Sequence, residues 1–225
     1  MRSGRKPLVI FGVGELADLA HFYFTEDAGR RVAAFTVDAA YLRGDTFHDT
    51  PVVAFETITE SFPPSQYEMF VAIGYRDLNS KRSERCAMAA QRGYRLTSFA
   101  SSKADLWPDF VLGANCLVME GNVLQPHSRL GEGVVLGSGN LISHHAVVEE
   151  YCYLAARVVL GGAARVGHHS FLGLNVTVRE NVKIGAACLV GAAALVLKDV
   201  PDGQALLTEG TQVSPMPAAR VRSLL

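Results

Sequence analysis

Seven histidines punctuate the chain, at positions 21, 48, 127, 144, 145, 168 and 169. Imidazole ordinarily titrates near neutrality, so each is a candidate proton acceptor or metal ligand. Two adjacent pairs stand out, His144-His145 and His168-His169. Cys86, Cys116, Cys152 and Cys188 match no zinc or redox spacing such as C-x-x-C and read as reduced packing residues. Gly12-Val13-Gly14 closes a short apolar run, a turn where phosphates can approach backbone N–H groups at a helix start. Asp38, Gly74, Arg76, Asn79 and Arg82 lie at or just beyond strand ends, where a base, a ribose or phosphates could be held.

The second half of the chain carries a repeat that positions most of these histidines. Steps of six from Leu112 land on Val118, Leu124, Leu130, Leu136, Ile142, Val148, Leu154, Leu160, Val166, Leu172, Val178, Ile184, Val190 and Val196. Glycine often follows the aliphatic residue, and the fifth position of each hexad is small or β-branched and never charged. One hexad is a short strand plus a tight turn, and three make a triangular coil of parallel strands. Residues 112–201 then hold five coils. His144 and His145 are the third and fourth residues of their hexad, which puts them on a turn outside the filled interior. His168 and His169 hold the same hexad positions farther on and read as surface turn residues. His127 lies one coil below His145, where it could line a cleft. Residues 202–225 leave the repeat as a cap, with a short helix expected over 218–225.

The first hundred residues alternate strand and helix. Pro7–Phe11, Val32–Val37 and Glu68–Gly74 read as buried strands, the residues after Gly14 and Ser80–Arg92 as helices, and Tyr94–Phe99 as a last strand. This is a small Rossmann-like βαβ unit. The third glycine of a dinucleotide fingerprint is replaced by Ala17, and a second mononucleotide half is missing. A single nucleoside diphosphate therefore fits better than a nicotinamide or flavin, with its phosphates at Gly12-Val13-Gly14 and its base or ribose at Asp38. The expected boundaries are 1–100 for the nucleotide-binding domain and 101–225 for the coil domain.

Composition narrows the function classes. Twenty-one basic residues against 22 acidic ones leave a net charge of -1, without the cationic surface that nucleic acids require. No stretch approaches the ~18 apolar residues of a membrane span, and Leu8–Phe11 is too short for a signal peptide's core. A cytoplasmic protein without nucleic-acid or membrane partners is expected.

The hexads resemble the hexapeptide-repeat family, whose fold is a left-handed parallel β-helix. With the first domain, the chain looks like the sugar acyltransferases typified by nucleotide-amino-sugar N-acetyltransferases and sialic-acid O-acetyltransferases. The stretches that carry the likeness include V-I-F-G-V-G, F-T-V-D, A-I-G-Y-R-D-L-N-S-K-R, I-S-H-H-A-V-V-E-E-Y, L-G-G-A-A-R-V-G and V-L-K-D-V-P. The resemblance implies an acetyl-CoA-dependent enzyme, a nucleotide-sugar acceptor with a reacting amino group, and a homotrimer with sites between subunits. A catalytic histidine of that family stands 18 residues before the second glycine of a Gly-Gly pair. His144 and Gly162 meet that spacing, as general base and oxyanion donor. His145 takes the base-tuning place where relatives carry an acid, and Tyr153 a place where they often carry histidine near pantetheine. Tyr153, Gly162, Leu174, Ala192 and Lys198 match the coenzyme A groove, while Gly12, Val13, Gly14, Asp38, Gly74, Arg76, Asn79 and Arg82 fall to the substrate. The histidine pair five residues apart that binds zinc in β-helical carbonic anhydrases is missing, so no metal is expected. Two alternatives stay open: sugar O-acetylation, and a non-catalytic trimeric scaffold or nucleotide sensor.

Overall fold

The computed structural model describes residues 6–107, 110–211 and 215; the short helix expected over 218–225 lies outside them. The runs at 7–11, 32–37 and 68–74 form strands, whereas Tyr94–Phe99 makes only an isolated bridge, Leu96 to Met69, before Phe99 opens the β-helix. β1 (Leu8–Phe11) leads through Gly12–Gly14 into α1 (Glu15–Phe22), which continues as a π-helical turn over Tyr23–Asp27. β2 (Val32–Val37), the hairpin β3 (Thr46–Phe47) and β4 (Thr50–Ala54), the short α2 (Ile58–Ser61), β5 (Glu68–Val71) and α3 (Ser80–Gln91) follow. The sheet order is β3-β4-β2-β1-β5, parallel apart from the β3–β4 hairpin. Sequence periodicity missed that hairpin, because β3 has two residues and Pro51 interrupts β4.

The hexads form a left-handed parallel β-helix with three faces. The first face stacks seven two-residue strands from Phe99–Ala100 to Ala205–Leu206. The second stacks six, from Asp105–Leu106 to Leu195–Val196, and the third four, from Arg129–Leu130 to Lys183–Ile184. The ladder thus reaches beyond the 112–201 read from the hexads, since Ala100 and Leu106 already occupy the interior register. The second residue of each strand points inward, and the chain from Val118 to Val196 supplies one continuous apolar column. Asn122 and Asn140 stack inside it, with Asn140 Nδ2 donating to Asn122 Oδ1 at 2.9 Å and to the Gly137 carbonyl at 2.7 Å. The fourth hexad position repeatedly takes a left-handed backbone, as at His127, His145, Ala163 and His169.

The two halves share a core. Leu117, Val135 and Met119 of the first face pack with Phe24, Phe70 and Phe99 beneath the parallel sheet. Outward-facing Val135 is 1% exposed because the first domain covers it. The second face keeps its outward apolar row, Val123, Leu141, Val159 and Leu195, without such a cover. The third presents Arg129, Arg165 and Lys183 to solvent.

Candidate active site and nucleotide cleft

The turn after strand Leu141–Ile142, at the edge between the second and third faces, carries the candidate base. Gln125, one coil below, accepts the backbone N–H of His144 through Oε1 at 2.9 Å and so fixes the turn. The His144 imidazole lies flat against Gly162 one coil above. A Cβ on residue 162 would stand 2.5 Å from Cε1 and 2.8 Å from Nε2 of that ring, so only glycine lets the imidazole settle there. Nδ1 of His144 and Nδ1 of His145 are 3.2 Å apart, and His145 in turn packs on His127 with ring centroids 4.8 Å apart. One nitrogen of each facing pair must carry the hydrogen. A neutral His145 accepting from His144 Nδ1–H leaves Nε2 of His144 bare.

The N–H of residue 162 is itself available. At equivalent turn positions the side chain nineteen residues earlier takes that hydrogen: Gln125 for His144, Glu149 for His168. For Gly162 that residue is Ser143, too short to reach, and the Gly162 N–H finds no acceptor among the described residues. An imidazole edge and a free N–H therefore meet between two stacked turns, the kinds of group that acyl transfer requires.

A second site lies in the first domain. A cleft of about 670 Å³ is lined by Gly14, Glu15 and Leu16 at the start of α1, Asp38 after β2, Gly74, Tyr75 and Arg76 after β5, and Lys81 and Arg85 on α3. Asp38 is held by Arg85, whose Nε and Nη2 donate to Oδ2 at 3.1 and 2.8 Å. Burial opposes the charge of Arg85, yet the Asp38 carboxylate and Glu84 hold its guanidinium above the usual range. Arg85, Tyr75 and Lys81 escaped the sequence reading; Arg85 was detectable only as a cation one helical turn from Lys81 on α3.

The other expected residues divide. Gly14, Asp38, Gly74 and Arg76 line the cleft. Val13 lines a neighbouring hollow of about 260 Å³ with Val37, Tyr41 and Arg43. Gly12 is required by packing, since a Cβ there would lie 2.9 Å from the Ala72 carbonyl. Asn79 and Arg82, expected on the substrate, do not line the cleft: both are fully buried in the seam between the domains. Tyr153 meets Tyr75 and Phe171 at this cleft, with ring centroids 5.0 and 5.8 Å away. Leu174 and Ala192 are exposed at one edge of the second face, and Lys198 at the opposite edge, on the turn three coils above His144. No residue of the His144 turn lines the first-domain cleft.

No family model and no curated protein matches the chain in sequence. Solved structures do match in fold. A His-to-Ala variant of GDP-perosamine N-acetyltransferase from Caulobacter crescentus, in complex with CoA and GDP-perosamine, has 27% identity and a TM-score of 0.80. The match covers 90% of this chain and 93% of that one. PerB from the same organism, also with CoA and GDP-perosamine, gives 28% identity and a TM-score of 0.78 over 88% and 92% of the two chains. The acetyltransferase domain of PglB from Neisseria gonorrhoeae shares the fold at 23% identity and a TM-score of 0.78, over 89% and 96%. Fold and these neighbours support an acyltransferase, similar to sugar N-acetyltransferases of known structure. In particular it is similar to GDP-perosamine N-acetyltransferase over nine-tenths of its length.

Proposed function

We propose that the protein transfers an acetyl group from acetyl-CoA to the amino group of a nucleotide-linked amino sugar, in the synthesis of surface glycans. One observation carries the reading: the His144 ring rests on a glycine whose own N–H is free, in a chain that also holds a nucleotide-sized cleft. The amine nitrogen attacks the thioester carbonyl carbon while Nε2 of His144 takes the amine proton. The Gly162 N–H holds the carbonyl oxygen as it becomes negative. The C–S bond then breaks, and the departing thiolate takes the proton from the imidazolium, which returns the base to its starting state.

Nucleoside diphosphate recognition falls to the first domain. The free N–H groups opening α1 suit phosphate, Asp38 and Arg85 offer an acceptor and donors to the base or ribose, and Arg76 a cation. Because that cleft and the His144 turn do not adjoin in one chain, the acceptor is completed from a neighbouring copy, in a cytoplasmic homotrimer. The N-acetyltransferase relatives support the amino acceptor over sugar O-acetylation. The decisive assay supplies acetyl-CoA with a panel of nucleotide amino-sugars and reads free thiol. Turnover with at least one of them is expected; turnover only with unactivated hydroxyl sugars overturns the reading.

A further inference from the structure

The α3 amino end is built as a joint. Arg82 is fully buried and has no carboxylate partner among the described residues. Its Nε donates to the Gly133 carbonyl at 3.0 Å, and its Nη2 to those of Tyr151 and Cys152 at 3.2 and 3.3 Å, all on the β-helix. Its Nη1 donates to Ile73 and Gly74, at 3.2 and 3.0 Å, and to Asn79 Oδ1 at 2.9 Å, all in the first domain. Asn79 Nδ2 reaches the carbonyls of His169 and Ser170 at 3.3 and 3.4 Å, and Ser83 Oγ lies 3.1 Å from His169 Nε2. One helical turn thus touches three β-helix turns and the strand end that opens the cleft.

Between those anchors the backbone is strained. Asp77, Leu78 and Asn79 are consecutive non-glycine residues with φ of 52°, 46° and 66°. Such a run is costly for L-residues and persists only where surrounding contacts over-determine it. The segment it ends is Gly74-Tyr75-Arg76, the cleft wall, and Tyr75 there packs on Tyr153 and Phe171 of the β-helix. Burying an uncompensated guanidinium opposes its charge, and its pKa is lowered to about 10. A lysine could not make this set of contacts, because the planar fork addresses several directions at once.

We infer that Arg82, with Asn79, is a positioning residue for nucleotide-sugar binding: it ties the strained 74–79 segment to the β-helix and so presents Tyr75 and Arg76 to the ligand. The inference rests on the nucleotide-sugar reading above. It separates two roles that the local sequence mixes, Arg76 as a ligand contact and Arg82 as the part that aims it.

The experiment measures calorimetric affinity for GDP, UDP and, separately, acetyl-CoA, in the wild-type protein and in Arg82→Lys, Asn79→Gly and Arg76→Ala. Asn79→Gly keeps the left-handed backbone while removing the side-chain tie, so it remains informative if Arg82→Lys fails to fold. Wild-type protein should bind one of the two diphosphates. Arg82→Lys and Asn79→Gly should each weaken that binding about tenfold in folded protein, with acetyl-CoA affinity within about twofold of wild type. A lowered melting temperature with unchanged diphosphate affinity would reduce Arg82 to a structural residue and overturn the inference. Wild-type protein that binds neither diphosphate overturns the nucleotide reading beneath it, a different failure. Weakening by Arg76→Ala alone also overturns the inference.

Discussion

At the residue scale, the proposed function turns on three groups, His144, His145 and, one coil above them, Gly162. His144→Ala should lower kcat by about 10²–10⁴ while acetyl-CoA affinity holds, the usual cost of a general base. Turnover near wild type in folded His144→Ala would remove the assignment. Gly162→Ala tests the same geometry from the other side. Its Cβ would stand 2.5 Å from the His144 ring, and that exposed ring can swing away. The fold should survive while the rate falls by about a hundredfold; an unchanged rate would mean the ring does not work from this position. His145→Ala should cost less than His144→Ala, because it removes an orienting acceptor and leaves the base. His145→Asp keeps an acceptor and adds a negative charge that favours the imidazolium. Its rate at pH 7 should exceed that of His145→Ala, and the acid limb of its pH–rate profile should lie at higher pH. Hexad counting put His144 and Gly162 one coil apart, so their stacking was legible from spacing. The free N–H of Gly162 was not, because it depends on Ser143 being shorter than Gln125 or Glu149.

At the element scale, the β-helix was readable because each strand repeats one inward side chain at a fixed interval. The first domain was readable in its longer strands and helices, where burial sets the pattern. Arg82, a charged residue shortly after a strand, looks in sequence like a surface cation, yet it is fully buried. Its register held the warning: Arg82, Cys86 and Ala89 form the buried stripe of α3, spaced as one helical face. The same reasoning separates the interior polar groups from the thiols. Asn140 accepts from the Val158 N–H at 2.7 Å while donating to Asn122 and Gly137. Asn140→Leu therefore strands several buried partners and should cost about 3 kcal/mol or more in urea denaturation, at ~1–3 kcal/mol for each unsatisfied group. A loss below about 1 kcal/mol would show that the ladder adds little. The thiols of Cys86, Cys116 and Cys152 are pushed up to about 12 by burial, and Cys188 is equally enclosed. All four should resist a thiol reagent at pH 8 until the protein unfolds; fast labelling of the native state would contradict packing as their role.

At the scale of the whole molecule, two surfaces decide how the parts cooperate. The first is the domain seam. Burial and the neighbouring His168 hold the imidazole of His169 below its usual value, with Glu150 acting the other way and Arg82 adding to the lowering. The folded state thus prefers neutral His169, and the unfolded chain binds the extra proton first. Stability should be full above about pH 6.5 and decline as pH falls through the interval down to the lower native value. His169→Gln should flatten that part of the thermal-denaturation profile, and an unaltered profile would remove His169 from the effect. The second surface is the uncovered face of the β-helix. Of the three faces, the first is covered along Leu117 and Val135 by the N-terminal domain and the third carries Arg129, Arg165 and Lys183, which would repel a second copy. Only the second offers an apolar row, Val123, Leu141, Val159 and Leu195, with Leu195 64% exposed. Its edges carry His144 and Lys198 on one side and Leu174 and Ala192 on the other, so copies meeting there set the base beside a neighbour's turns. A closed ring about a threefold axis satisfies every copy alike. Light scattering at micromolar concentration should therefore give a trimer, and Leu141→Glu, which places a charge in the row, should give folded monomers. Those monomers should keep diphosphate binding, which the first domain supplies, and lose acetyl transfer. Monomeric wild-type protein with full activity would overturn both the interface and the shared site.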